Sequence, residues 1–212
     1  MKKITRRNQK DITQYTIINA AWSTFSTLGF VDANIRDIAK IGSISTGSVL
    51  THFGTKEKLV DFIVERLKDQ MTTELARRQP REITLISILS IQLEVLFLYE
   101  RIYIRLLRES GKLSEKTQNE FTSIQSLFSE HLSQALTKDY INGNATVLPS
   151  KMLFNVWIGL VHHYLLNSEK FAPNESVIMT NKNQIIRTFM TLVSNMEDID
   201  DKMQIMRKKH QI

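Results

Sequence analysis

The stretch from Asn34 to Phe53, NIRDIAKIGSISTGSVLTHF, holds two short helix patterns on either side of a break at Gly42 and Ser43. Asn34 is placed to cap the first helix, and Asp37, three residues on, to return the bond as in a capping box. Ile35, Ile38 and Ala39 give that helix one apolar face. Ser45 caps the second, from which Ile44, Val49 and Phe53 pack inward while Thr46, Ser48, Thr51 and His52 point out. Two helices joined by a turn of about three or four residues, the second opening on small polar side chains, form a unit that fits a DNA major groove. The stretch therefore predicts a helix-turn-helix and a double-stranded DNA partner.

The remaining chain reads with helical period, and no alternating strand pattern stands out. A first helix is expected from about Asp11 to Leu28, with Tyr15, Ile18, Trp22 and Phe25 on one face. Thr55 is the expected N-cap of a long helix from Lys56, whose buried side is marked by Leu59, Phe62, Ile63, Leu67, Met71 and Leu75. Pro80 closes it, which predicts a domain boundary with residues 1–78 on one side and 79–212 on the other. Residues 83–98 are apolar nearly all round, as in a helix inside a larger core. Further helices are expected at 102–107, 115–136, 149–167 and 181–209, with a loop at 142–148. The fold class is thus all-α: an N-terminal three-helix unit joined by a long helix to a C-terminal bundle.

Composition narrows the function classes. Seven glycines, three prolines and no cysteine argue against a β sandwich and exclude disulfides and thiolate metal sites. Residues 1–60 carry nine Lys/Arg against four Asp/Glu, whereas 61–212 carry 19 against 18. A basic segment beside a nearly neutral one is the footprint of a nucleic-acid-binding part on a carrier part, though a solubilising surface gives the same balance. Lys2, Lys3, Arg6 and Arg7 are not followed by a compact apolar segment, so a cytoplasmic chain without a signal peptide is expected. The longest charge-free run, residues 12–31, carries eight Ser, Thr, Asn or Gln side chains, a poor membrane span.

The pieces IINAAWSTFSTLGF (17–30), IRDIAK (35–40), STGSVLTHF (45–53) and TKEKL (55–59) occur in an order and spacing that resembles the N-terminal domain of the TetR family of dimeric bacterial transcriptional regulators. The resemblance implies a regulator, most often a repressor, released from its operator by a small effector. It implies a DNA-contacting set of Asn34, Arg36, Ser45, Thr46, Gly47, Ser48, Thr51, His52 and Lys56. Guanidinium chemistry suits Arg36 to a base or a phosphate, the alternative being an ion pair with Asp32 or Asp37. Ser45 and Ser48 can equally be capping residues, and His52 can equally pack against the first helix. Three positions depart from the family pattern. Leu50 stands where a phosphate-bonding tyrosine is usual, Thr46 replaces a common Lys or Arg, and Ser43 occupies the turn glycine. A left-handed Ser43 costs about 1 kcal/mol, so the turn is expected to shift by one residue. The arm Lys2, Lys3, Arg6, Arg7 and Lys10 is available to offset the lost contacts.

Ile185, Phe189, Leu192, Met196, Ile199, Met203 and Met206 recur at spacings of 4 and 3, a heptad seam. Leu153, Val156, Trp157, Leu160, Val161 and Tyr164 form a second stripe. The resemblance makes these two helices a four-helix homodimer interface, and packing within the chain is the alternative. Tyr99, Tyr103, Leu107, Phe121, Phe128 and Trp157 are candidate residues around a mostly apolar effector in 83–166, whose entry would shift the helix at 56–78. A DNA-binding dimer without an effector, and an all-α lipid or small-ligand carrier, are the rival readings. Catalysis has little support. His162 and His163 are adjacent, not at the i, i+4 spacing of helical metal ligands. Glu197, Asp198, Asp200 and Asp201 read as a solvated face. No enzyme activity, metal or cofactor is expected.

Overall fold

A computed structural model describes the backbone of residues 6–141 and 149–209 and the side chains of 8–136 and 149–193. All regular elements among them are helical: α1 (Arg6–Leu28), α2 (Ile35–Gly42), α3 (Thr46–Phe53), α4 (Lys56–Arg77), α5 (Leu85–Leu98), α6 (Glu100–Glu109), α7 (Glu115–Ile141), α8 (Ser150–Leu166), the single turn α9 (Ser168–Phe171) and α10 (Val177–Lys209), with a 3-10 turn at Ser110–Lys112. The all-α expectation holds. α1 begins earlier than its periodicity indicates, because its first turn is polar and shows no face, and α10 begins at Val177, whose first turn buries Val177 and Ile178. Lys2, Lys3, the 142–148 loop and the side chains of Arg6, Arg7, Met196, Ile199, Met203, Met206, Glu197, Asp198, Asp200 and Asp201 lie outside the described residues.

The chain forms two compact units, Met1–Thr72 with Tyr99–Ile124 and Thr73–Leu98 with Gln125–Ile212. The change of unit falls inside α4 and α7 and between α5 and α6, whereas the sequence suggests one break at 78/79. The first unit recruits α6 because Ile102, Tyr103 and Leu106 form a buried stripe and α6 packs on α1. Its core includes Ile17, Ala21, Phe25, Phe30, Ile38, Val49, Leu59 and Ile63, with Phe25 and Phe30 stacked at 5.1 Å.

The second unit is built on α5, α8 and α10. α5 is hydrophobic nearly all round and buries Ile88, Leu89, Leu93, Val95 and Leu96. α10 packs against both α5 and α8. The deeply buried amide of Gln92 on α5 is satisfied at both ends: Nε2 donates to the Phe128 carbonyl at 2.8 Å, and Oε1 accepts from Trp157 Nε1 at 2.7 Å. A buried polar group without such partners would cost about 1–3 kcal/mol.

Candidate nucleic-acid interface

The turn between α2 and α3 is set by local chemistry. The capping box forms: Asn34 Oδ1 accepts from the N–H groups of Arg36 and Asp37 at 2.9 and 3.1 Å, and Asp37 Oδ2 accepts from Asn34 N–H at 3.1 Å. α2 ends in a Schellman motif, with Ser43 N–H on the Lys40 carbonyl and Ile44 N–H on the Ala39 carbonyl. Ser43 itself is left-handed, at φ 51 and ψ 42. The turn has therefore not shifted by one residue. Gly42 lets α2 approach α1 closely, since a Cβ there would lie 3.3 Å from the Ala20 Cβ, a tight contact. Ser45 Oγ then accepts the Ser48 N–H at 3.0 Å and opens α3.

Val49 anchors α3 with no exposure, while Thr46, Gly47, Leu50 and Thr51 face solvent. Arg36 and Lys40, one turn apart on α2, are also exposed. The i, i+4 relation of Lys40 to Arg36 is the sequence signal that puts the two cations on one face. His52 turns inward. Its Nδ1 donates to the Ser48 carbonyl at 2.9 Å, and Nε2 is buried without a partner. His52 is thus half-buried and bonded within its own helix, and a phosphate contact would require the ring to turn outward. Lys56 is partly covered, its Nζ donating to the Val31 carbonyl at 2.7 Å.

The helix-turn-helix is braced from residues far away in sequence. Glu109 Oε2 accepts from Phe30 N–H at 2.7 Å and Val31 N–H at 2.8 Å, and Arg105 donates to the Thr27 carbonyl at 2.5 Å. Gly29, with φ 91, admits this carboxylate, into which any Cβ would run. Below α3, Asp61 of α4 accepts from the hydroxyls of Ser114 and Thr117 at 2.5 and 2.6 Å, and Lys68 pairs with Glu120 at 2.6 Å. That pairing raises the Lys68 ammonium above its ordinary range. No local pattern announces Glu109 or Arg105, since each partner lies 78 or 79 residues away.

The six candidate ligand residues divide between the units. Tyr99, Tyr103, Leu107 and Phe121 belong to the first, Phe128 and Trp157 to the second. Tyr103 meets Phe121 edge-on at 5.7 Å, and its burial pushes the phenol well up. Tyr99 meets Trp22 edge-on at 6.1 Å. Phe128 and Trp157 are joined through Gln92.

The seam is corrected in part. Leu153, Trp157, Val161, Ile185 and Phe189 are buried within their own chain, with Trp157 and Phe189 edge-to-face at 5.2 Å. Side chains with no exposed surface cannot meet a partner. Of the proposed interface, Leu160 and Tyr164 are partly exposed and Leu192 is exposed to 42%. Among the described residues no cluster of three His, Asp or Glu could hold a metal, and no helix is long and apolar enough to cross a membrane.

Residues 17–62 match the family model described as bacterial regulatory proteins, tetR family. An HTH-type transcriptional repressor of Mycobacterium tuberculosis is 36% identical over 67 residues, 32% of this chain and 36% of that protein. The chain thus matches about a third of the length of the curated relative. Among solved structures, FadR from Bacillus subtilis in complex with stearoyl-CoA superposes with a TM-score of 0.68 at 15% identity, over 83% of this chain and 97% of that one. Salmonella enterica GusR gives 0.67 at 16% identity, over 92% and 99%. The matched segment, residues 17–62, carries the helix-turn-helix and is similar to the bacterial regulatory proteins of the tetR family, and the likeness over the rest of the chain is one of fold.

Proposed function

We propose that this chain is a sequence-specific DNA-binding transcriptional regulator that acts as a homodimer. The observation that carries this is the exposed, uncharged face of α3 beside the exposed Arg36 and Lys40 of α2. Cations neutralise phosphates and supply most of the affinity, while short side chains on the second helix permit approach to base edges. The working contact set is Asn34, Arg36, Ser45, Thr46, Gly47, Ser48, Thr51 and Lys56, with Lys40 added. For Lys56 a phosphate contact requires exchanging the Val31 carbonyl for a phosphate oxygen. Two recognition helices must reach successive major grooves about 34–36 Å apart, which is the functional reason for a dimer.

Repression relieved by a small apolar effector is the finer part of this proposal. The name of the M. tuberculosis relative supports the repressor sense, and the acyl-CoA in the B. subtilis FadR structure supports an effector with an apolar portion. Inside the first unit, α6 holds α1 and the 29–31 loop while α7 holds α4. An effector that displaced α6 or α7 would therefore move the helix-turn-helix, in addition to the route through α4. Such an effector must bind the non-DNA conformation more tightly, by about 1–3 kcal/mol in typical systems.

The test is selection of duplexes from a random pool by the full-length chain, followed by titrations at several salt concentrations. Arg36→Ala and Lys40→Ala are each expected to weaken binding. A residue on phosphate lowers the logarithmic salt slope by about 1, and one on a base costs about 1–3 kcal/mol at one position. Selection of no sequence, or unchanged binding by the double variant, would leave the small-ligand carrier as the better reading.

A further inference from the structure

The solvent face of α3 lacks the groups that usually name a base. Bidentate pairs come from Arg or Lys on guanine and from Asn or Gln on adenine. The exposed residues of α3 are Thr46, Gly47, Leu50 and Thr51, which share one side of the 3.6-residue period. Thr51 Oγ1 donates to the Gly47 carbonyl at 2.8 Å, so it offers outward an acceptor oxygen and a methyl. Leu50 is 46% exposed, a large aliphatic group in the middle of the helix. A Cβ added at Gly47 would find only Ser45 Oγ, at 3.8 Å, so the approach beside Leu50 is open.

The major-groove edges of the base pairs present one apolar feature, the 5-methyl group of thymine. We infer that Leu50 reads that methyl, making thymine the base this chain selects at one central position of each half-site. The inference rests on the DNA reading proposed above. Exposed Arg36, Lys40 and Lys58 provide the positive surroundings that favour a polyanion over an apolar protein surface as the occupant. Contact between the isobutyl group and the methyl removes apolar surface of both from water. Loss of one methyl corresponds to about a fourfold fall in affinity, and loss of both in a two-fold symmetric site to about fifteenfold.

The selected duplex is resynthesised with deoxyuridine in place of thymidine, one position at a time, and titrated against the full-length chain. The expected result is one thymine per half-site at which the substitution weakens binding about fourfold. Leu50→Ala should bind thymine and uracil duplexes equally at that position, while Leu50→Met, which keeps an apolar reach, should still distinguish them. Uracil tolerated at every position by the natural chain overturns the inference, as does a thymine/uracil ratio left intact in Leu50→Ala or lost in Leu50→Met. Enrichment without methyl sensitivity removes only the role of Leu50. A pool with no enriched sequence overturns the DNA reading and this inference with it.

Discussion

The carboxylate of Glu109 holds the backbone of Phe30: Oε2 accepts the Phe30 N–H at 2.7 Å, and the same oxygen takes the Val31 N–H at 2.8 Å. One charged oxygen thus satisfies two donors that follow the end of α1, the position where unpaired N–H groups would otherwise meet a buried phenylalanine ring.

Glu109→Ala should destabilise the chain by about 1–3 kcal/mol, the range for hydrogen bonds to a charged group. Glu109→Gln keeps an acceptor oxygen and should recover part of that loss. Gly29→Ala should lower stability by at least about 1 kcal/mol, through its left-handed φ and the collision with the same carboxylate. Urea unfolding monitored by circular dichroism measures all three. Unchanged midpoints would mean the brace contributes nothing.

Trp157 and Gln92 form a coupled buried pair. Trp157→Phe leaves the Gln92 oxygen unpaired, and Gln92→Leu strands both the indole N–H and the Phe128 carbonyl. Each should cost about 1–3 kcal/mol beyond the change in packing. The double variant should cost clearly less than the sum, since removing both partners leaves fewer groups stranded. Additive losses in a double-mutant cycle would show that the two do not interact.

Stability should depend on pH through two histidines of the second unit. Burial pushes His162 down to about 4 and lowers His131, both of whose ring nitrogens lie buried without a hydrogen-bond partner. In the unfolded chain these rings protonate near their ordinary 6.5. The unfolded state therefore binds more protons as the pH falls, and stability complete above about 6.5 is lost progressively toward 4. The His162 share is of order 3 kcal/mol. His162→Phe should flatten the urea midpoint between pH 7.5 and 5. A midpoint that rises on acidification would contradict the assignment.

The proposed dimer should respond at Leu192 and not at Phe189. Leu192 is 42% exposed on α10, whereas Phe189 has no exposure and packs on Trp157. Leu192→Asp combined with Leu160→Asp should shift the sedimentation equilibrium toward monomer with the helical spectrum intact. Phe189→Asp should instead unfold the second unit by burying an unpaired charge. A double variant still dimeric at micromolar concentration would place the interface elsewhere.

What could be read from the sequence was mostly local. The capping box at Asn34 and Asp37, the Ser45 cap and the buried stripe of α4 depend on residues within about one turn of their neighbours, and they form as expected apart from Phe62, which is only half-buried. Thr55 also acts as expected, its Oγ1 accepting the Lys58 N–H at 3.2 Å. Errors arose where a local cost was offset from elsewhere. Ser43 keeps its left-handed conformation because two backbone bonds and the Gly42–Ala20 approach hold the turn. In the α10 heptad pattern Ile185 and Phe189 are buried within their own chain while Leu192 is exposed, and periodicity does not say whose helix lies opposite. Glu109, Arg105 and Gln92 act through partners 36 to 79 residues away, so no window along the chain contains them.

The chain has two tryptophans, and the fold assigns one to each compact unit. Trp22 is partly exposed with its edge on Tyr99, while Trp157 is sealed from solvent and hydrogen-bonded to Gln92. Their emission should therefore separate by colour and by access to a dissolved quencher, the sealed indole emitting further to the blue and resisting quenching. Events in the helix-turn-helix unit and in the second unit thus carry different optical signatures without any attached label.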